Sequence, residues 1–579
     1  MPYSNLRQLC KRANFLPSLK ILDVSHSHGL TEIIDFSLCP KLEELILVDC
    51  TSLIDVHESI GNLERLVYLN MRDCKNLRML PKNMCMLKSL ETLILSGCSN
   101  LDEFPVEMMK EMESLEVLAT DGIPLRLERS STILSSFPCS LVKLSLKGCN
   151  LSDDVFPTDL SNLSYLRSLH LDGNPICSMP VFIKGLRRLD HLSFWDCNRL
   201  ESLVGLPKVH QYTSIEGCIS LRKIKYLHHE QRSERYYVGG NHNLVEWEHR
   251  YKIEPIDRVD VEIIKLLGLC NLESMPAVRM HNPHTIVDQK VVPVQGLYQY
   301  GIFSTFFAGN EVPGRFSYQS TKSSISFIVP SLLASHRIRG LNIFATYANE
   351  GNYNDLSPIY QPILTKVSNK SKGLKWIYRP DFYGIPGEGE DMIWLSHWKM
   401  ENETILQCGD QVVVSVVADE LFIKEFGVEL VQEHQNNIMT STQHNTKSDP
   451  NYPYVIGGDL SKWEHIPGIY FLGYRKDYVE QTMKSPRSIL YRLIMDTDKE
   501  DIGMFPRTFL NRLIMESDEE DTDKEEGQED EPDYTIGRTR DANNNCGLKG
   551  WKVLLTAAGL FFTLALVVRS SISQKKKQQ

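Results

Sequence analysis

Leu66-Val67-Tyr68-Leu69-Asn70-Met71-Arg72-Asp73-Cys74 spaces its apolar residues as L-x-x-L-x-L-x-x-C, and this spacing decides the fold. The same pattern ends at Cys50, Cys98, Cys149, Asn174 and Cys197, with degenerate copies ending at Ser27, Ile123, Cys218 and Asn241. Successive ends lie 23, 24, 24, 25, 26, 25, 23, 21 and 23 residues apart, inside the range of leucine-rich repeats. Within one copy, Leu69 and Met71 are two residues apart and share one face of a strand, while Tyr68, Asn70 and Arg72 take the other. A single coil cannot bury its apolar face alone. Stacked coils make a continuous core and a parallel sheet on the concave side.

This geometry gathers the outward residues of successive strands into one column. The candidate binding residues in it are Tyr68, Asn70, Arg72, Ile94, Lys143, Lys147, His170, His191 and Trp195. Aromatic and apolar side chains set among charges have the composition of interface anchors. The six cysteines at the repeat ends point inward in parallel, and no basic stretch followed by an apolar run opens the sequence. They are therefore expected to be buried free thiols in a reducing compartment, not disulfides.

At 579 residues the chain exceeds one hydrophobic core. Its net charge of -11 is concentrated in residues 516–533, which hold twelve acidic residues and one lysine. The neutral remainder offers no electrostatic basis for binding nucleic acid. The expected layout is a repeat solenoid over 1–250, a linker or capping segment over 251–299, a β-sandwich over 300–435, a polar linker over 436–548 and a membrane anchor over 549–579. The sandwich rests on alternating or β-branched runs at 324–329, 341–347, 411–418 and 426–431. The linker is expected to be largely disordered by like-charge repulsion, and it carries a duplication: Pro486-Arg487-Ser488-Ile489-Leu490-Tyr491-Arg492-Leu493-Ile494-Met495 returns as Pro506-Arg507-Thr508-Phe509-Leu510-Asn511-Arg512-Leu513-Ile514-Met515.

Residues 553–568 form a charge-free run of sixteen between Lys552 and Arg569. As a helix it is about 24 Å long, against a hydrocarbon core of roughly 30 Å. Trp551 at the interface and snorkelling of the flanking cations reduce the mismatch, so a single-pass C-terminal anchor is expected, with the repeats facing the cytoplasm.

Two regions carry a family resemblance. Leu22-Asp23-Val24-Ser25-His26-Ser27 and Leu93-Ile94-Leu95-Ser96-Gly97-Cys98-Ser99, with the opening Met1 to Leu9, resemble the repeat region of plant TIR-NBS-LRR disease-resistance receptors. Ala308-Gly309-Asn310-Glu311-Val312-Pro313-Gly314-Arg315-Phe316, then Gln319 and Lys322-Ser323-Ser324-Ile325, resembles the post-repeat jelly-roll/Ig-like domain of that family, called C-JID. It departs from the family pattern at Ala308, Arg315 and Lys322. The family's TIR and nucleotide-binding domains have no counterpart, and no G-x-x-x-x-G-K-[ST] phosphate loop occurs. The resemblance implies non-catalytic recognition of a pathogen effector or a guarded host protein in innate immunity, with a full-length resistance receptor as a further partner. A membrane-tethered repeat scaffold without immune sensing is the alternative.

No catalytic residue, cofactor or metal ligand is expected. There is no G-x-S-x-G elbow, H-E-x-x-H helix or C-x-x-C pair, and His228, His229, Glu230 and Cys177 read as ordinary solenoid residues.

Overall fold

The computed structural model describes residues 2–9, 15–101, 109–124, 137–156, 161–227, 235–270, 272, 275–281, 290–331, 336–349, 363–400, 405–418, 421–434, 456, 460–474, 476–484 and 489–495. Ten short strands form one parallel ladder: Ile21–Asp23, Glu44–Ile46, Tyr68–Asn70, Thr92–Ile94, Val117–Ala119, Lys143–Ser145, Ser168–His170, His191–Ser193, Tyr212–Ser214 and Arg235–Tyr237. Registration is strict, with Leu45, Leu69, Leu93, Leu118, Leu144, Leu169 and Leu192 stacked in one buried row.

The strands stay short because each coil turns sharply just before its repeat end, a cysteine in six of them. The turning residue has φ between +53° and +83° in every coil: His26, Asp49, Asp73, Gly97, Gly122, Gly148, Gly173, Asp196, Gly217 and Gly240. Glycine suits that left-handed conformation, and histidine and aspartate are among the few other residues that visit it. The following thiol is buried and donates to a carbonyl of the preceding coil, Cys74 to Leu47 at 3.0 Å and Cys98 to Met71 at 3.1 Å. These cysteines are free.

Return segments are tight three-residue-per-turn helices such as Glu58–Asn62, Lys82–Met86 and Val181–Gly185. Their i to i+3 spacing seats Ile60 with Leu63, Met84 with Leu87 and Ile183 with Leu186 in the core. Neighbouring returns approach closely enough that a Cβ at Gly61 would lie 2.6 Å from the Asn83 carbonyl oxygen.

A second ladder begins on the last coils. Ser202–Leu206, Lys223–Tyr226 and Glu246–Trp247 pair in parallel, after which Tyr251–Pro255 reverses direction and pairs with both Glu246–Trp247 and Gln295–Gln299. The sheet continues through Ile302–Ala308, Asp391–Lys399, His336–Ala348, Phe422–His434 and Tyr318–Ser320, ten strands in all. Solenoid and C-terminal half are thus joined by continuous backbone hydrogen bonding. Residues 251–299, read from sequence as linker or cap, hold this bridging strand and the short helix Val261–Leu266, whose first turn is capped by the Asp260 carboxylate. The alternation Tyr251, Ile253, Pro255 against Lys252 and Glu254 suits a half-covered strand. At the junction Arg250 pairs with the buried Asp381 at 3.1 Å and stacks over Trp247, and Tyr251 meets Phe382 edge to face at 4.8 Å.

A six-stranded sheet, ordered Ser324–Ile328, Gln411–Ala418, Ile363–Asn369, Leu374–Tyr378, Ile469–Leu472 and Glu464–Ile466, shares a core with the long sheet. Phe306, Phe344, Trp394 and Trp398 come from one side, Val367, Trp376, Tyr378, Val412 and Val414 from the other. The runs expected at 324–329, 341–347, 411–418 and 426–431 lie on strands, with Val329 alone one residue past the end of its strand.

Within the span expected as a largely disordered linker, residues 460–474, 476–484 and 489–495 supply two strands and the helices Lys476–Met483 and Ile489–Met495. The alternate face of the six-stranded sheet presents Leu364, Ile377, Val417 and Phe471, and Val479, Leu490, Leu493 and Ile494 cover it. Leu490, Leu493 and Ile494 stand at i, i+3 and i+4, one face of a helix. The second copy of the duplication, the acidic run 516–533 and the apolar run 553–568 lie outside the described residues. Among the described residues no helix is long and apolar enough to cross a membrane.

Candidate binding surface

Three outward positions per coil, six, four and two residues before the repeat end, line the concave sheet. The first predicted group is locked locally. Asn70 donates to the Tyr68 hydroxyl at 3.0 Å and accepts the Arg72 backbone N–H at 3.0 Å, and Arg72 pairs with Asp73 at 3.1 Å. Tyr68 is half-buried, and burial raises its phenol pKa. Ile94, half-buried, stands level with Asn70 on the next strand.

The middle of the column is organised by two carboxylates that sequence reasoning passed over as binding residues. Asp121 accepts from the Ser96 and Ser145 hydroxyls and from the Lys147 backbone N–H. Asp172, 8 % exposed, accepts from the Ser193 hydroxyl, from the Trp195 N–H at 2.9 Å and from the Lys147 ammonium at 2.8 Å. Burial, with Lys147 adding like charge, lowers the pKa of Lys143. The same two causes push His170 down to about 3, so its imidazole is neutral, bonded at 3.0 Å to the Ser168 hydroxyl with its Nδ1 buried and unpartnered.

Towards the end of the array the column opens. His191 holds the Gln211 side chain at 2.8 Å and lies against Tyr212 with ring centroids 4.3 Å apart, and Tyr212 meets Tyr237 edge-on at 6.0 Å. Trp195 and Tyr237 are each 49 % exposed, while the serines and Asp172 beside them are buried. Of the nine predicted residues, His191 and Trp195 join this open aromatic end; Lys143, Lys147 and His170 belong to the closed polar centre; Tyr68, Asn70, Arg72 and Ile94 form a separate group. Tyr212 and Tyr237 were missed. They sit six residues before Cys218 and four before Asn241, at the offsets that pick out His191 and Ser193, so the pattern already held them. The arrangement suits surface complementarity: rigid aromatic faces carried on a sheet, with a satisfied polar network beneath.

A parallel ladder of ten coils with an open concave face makes this a leucine-rich-repeat protein. No family model matches the chain. Among curated proteins it is 28% identical over 318 residues to TMV resistance protein N of Nicotiana glutinosa, 39% of this chain and 28% of that protein. It is 38% identical over 151 residues to disease resistance protein RPP2A of Arabidopsis thaliana, covering 26% of this chain and 11% of the relative. With disease resistance-like protein CSA1 of Arabidopsis thaliana the identity is 27% over 397 residues, 59% of this chain and 30% of the relative. The chain thus spans less than a third of the length of each of these relatives. Solved structures include a leucine-rich-repeat protein of Leptospira interrogans, 18% identical with TM-score 0.27 over 42% of this chain and 76% of that one. The plant peptide hormone receptor RGFR1 in complex with RGF2 is 20% identical with TM-score 0.24, over 41% of this chain and 44% of that one. The sequence is similar to plant TIR-NBS-LRR disease-resistance proteins and fits a C-terminal portion of such a receptor.

Proposed function

We propose that this chain is the recognition portion of a plant immune receptor and binds a pathogen effector or a guarded host protein, without catalysis, on its concave sheet. The observation that carries this reading is the aromatic end of the column, where Trp195 and Tyr237 are exposed and His191 and Tyr212 half-buried. Large rigid side chains next to desolvated polar groups are the composition of interface hot spots. The curated relatives, disease-resistance proteins, support an immune role. In this reading the two-sheet half is the jelly-roll/Ig-like C-JID, which adds binding surface next to the repeats. Residues 553–568 anchor the chain in a membrane with the repeats facing the cytoplasm, and a full-length resistance receptor is a second partner.

The test screens purified effector proteins of a plant pathogen, one by one, against the immobilised chain. A binder of the wild type should lose about thirtyfold in affinity with Trp195→Ala or Tyr237→Ala, corresponding to roughly 2 kcal/mol. Tm should stay unchanged, because both side chains are half exposed. Arg72→Ala and Tyr68→Ala should matter less, since local hydrogen bonds tie both down. Unchanged affinity in both aromatic variants would remove the concave face from the proposal.

A further inference from the structure

The left-handed turns of the first coils bring together three groups that no sequence window holds. His26 and Asp49 occupy the turning position of consecutive coils, at φ +59° and +57°. Their side chains are therefore forced out side by side. His28, two residues on, reaches the same carboxylate. His26 Nδ1 lies 3.1 Å and His28 Nε2 2.8 Å from the one oxygen Asp49 Oδ2, and the three atoms are all within 4.8 Å of one another. The Tyr3 ring stacks on His26 at 4.6 Å with 8° between the planes, which fixes the imidazole.

We propose that His26, His28 and Asp49 form a binding site for a first-row divalent transition metal of the Zn²⁺ class. Ligand bonds to Zn²⁺ of about 2.0–2.2 Å place tetrahedral donors roughly 3.3 Å apart. The His26 to Asp49 and His28 to Asp49 separations need to open by a few tenths of an ångström to meet that spacing, and the two imidazole nitrogens, within 4.8 Å of each other, close toward it by rotation of the exposed His28 ring. Two imidazoles with one carboxylate select Zn²⁺, Co²⁺ or Ni²⁺ over Mg²⁺ and Ca²⁺, which require an oxygen shell. The fourth position falls to water, because the His28 side chain is 62% exposed. The chemistry balances without an outside reagent. Each imidazole binds through the nitrogen that faces Asp49 and carries its proton on the other ring nitrogen, and two contacts to Asp49 give way to three coordinate bonds.

The neighbouring turns show what sets this one apart. Asp73, at the same position one coil later, has its carboxylate neutralised by Arg72 at 3.1 Å. Gly97 follows with no side chain. Among the described residues no other group of three or more histidine, cysteine or acidic side chains converges in this way.

Zn²⁺ alone is the probe, titrated calorimetrically into the full chain with its accessible thiols alkylated beforehand, among the described residues those of Cys139, Cys270 and Cys408. His28→Gln and Asp49→Asn are the variants; the first is at an exposed site, and asparagine tolerates the left-handed turn. The wild type should bind one Zn²⁺ more per chain than either variant, and Zn²⁺ should raise its Tm but not theirs. Co²⁺ in place of Zn²⁺ should give the visible bands of a four-coordinate centre in the wild type alone. Equal stoichiometry and equal Zn²⁺ response in wild type and both variants would overturn the site.

Discussion

The repeat half and the two-sheet half are built from hydrogen bonds of different reach. In the solenoid, cross-coil bonds join residues one repeat apart, from the 20 of His191 to Gln211 to the 29 of Cys149 to Thr120. In the C-terminal half, Tyr378 reaches Gln299 across 79 residues, Ser317 reaches Glu429 across 112, and at the junction Arg250 reaches Asp381 across 131. A coil depends on neighbours one repeat away, whereas a strand such as Asp391–Lys399 is held between Ile302–Ala308 and His336–Ala348, both far from it in sequence. Stability in the first half should therefore be close to a sum over neighbours, and in the second half all-or-none.

The largest test of that contrast sets Trp394→Ala against Leu93→Ala, both at fully buried positions. The tryptophan truncation should cost about 3–5 kcal/mol and the leucine about 2–5. Hydrogen exchange should rise across all strands of residues 295–434 for Trp394→Ala. For Leu93→Ala it should rise only in the adjoining coils. Uniform opening of the whole chain by Leu93→Ala would break the contrast.

Acid should reach the C-terminal half through His397. Its imidazole is held by Asn342 at 2.8 Å, and burial, aided by Arg339 and Lys399, lowers its pKa from 6.5 to about 4. The folded state therefore favours neutral imidazole, while the unfolded chain takes up a proton first as pH falls. This contribution is complete above pH 6.5, declines between pH 6.5 and 4, and is flat below, a loss of about 3 kcal/mol. Urea melts at pH 7 and pH 4 should show that loss in the wild type and not in His397→Gln. Parallel decline in both would assign the acid sensitivity to other groups.

A smaller effect should sharpen the boundary. Asp381→Ala leaves the Arg250 charge without its carboxylate and should cost about 2–3 kcal/mol, below the 3–5 of a fully enclosed pair because the Arg250 side chain is 27% exposed. The measured result should be a split melting curve, with the repeats and the two-sheet half unfolding separately. A single shifted transition would mean that the through-going sheet couples the halves without this pair.

The same difference in reach explains what the sequence discloses. Leu45, Leu69 and Leu93 repeat at a fixed interval, so the concave ladder and most of its outward column can be read directly. The column fades where Thr213 and Tyr236 replace the central leucine, which is why Tyr212 and Tyr237 escape notice although they obey the offset. The second ladder leaves a fainter mark. Leu203, Ile224 and Trp247 stack in register at the same steps of 21 and 23 residues that separate Cys197, Cys218 and Asn241, but only three strands share them, and the pairing of Tyr251–Pro255 with Gln295–Gln299 has no local signature. The docking of Leu490, Leu493 and Ile494 was obscured by the polar and acidic residues around them. His26 and His28 are visible as a pair, but Asp49 joins them only after the coils stack.

The turning column also has a consequence at the level of codons. Glycine and aspartate differ by one base, and so do aspartate and histidine or asparagine, all residues that accept a left-handed backbone. Changes along His26, Asp49, Asp73, Gly97 and Asp196 can thus proceed by single-nucleotide steps, each leaving the coil able to close. The inside edge of a repeat can gain or lose a charge or a ligand while the leucines behind it stay fixed, provided that, as at Gly97 after Asp73 and Gly217 after Asp196, the preceding carboxylate gives up the space a new Cβ would take.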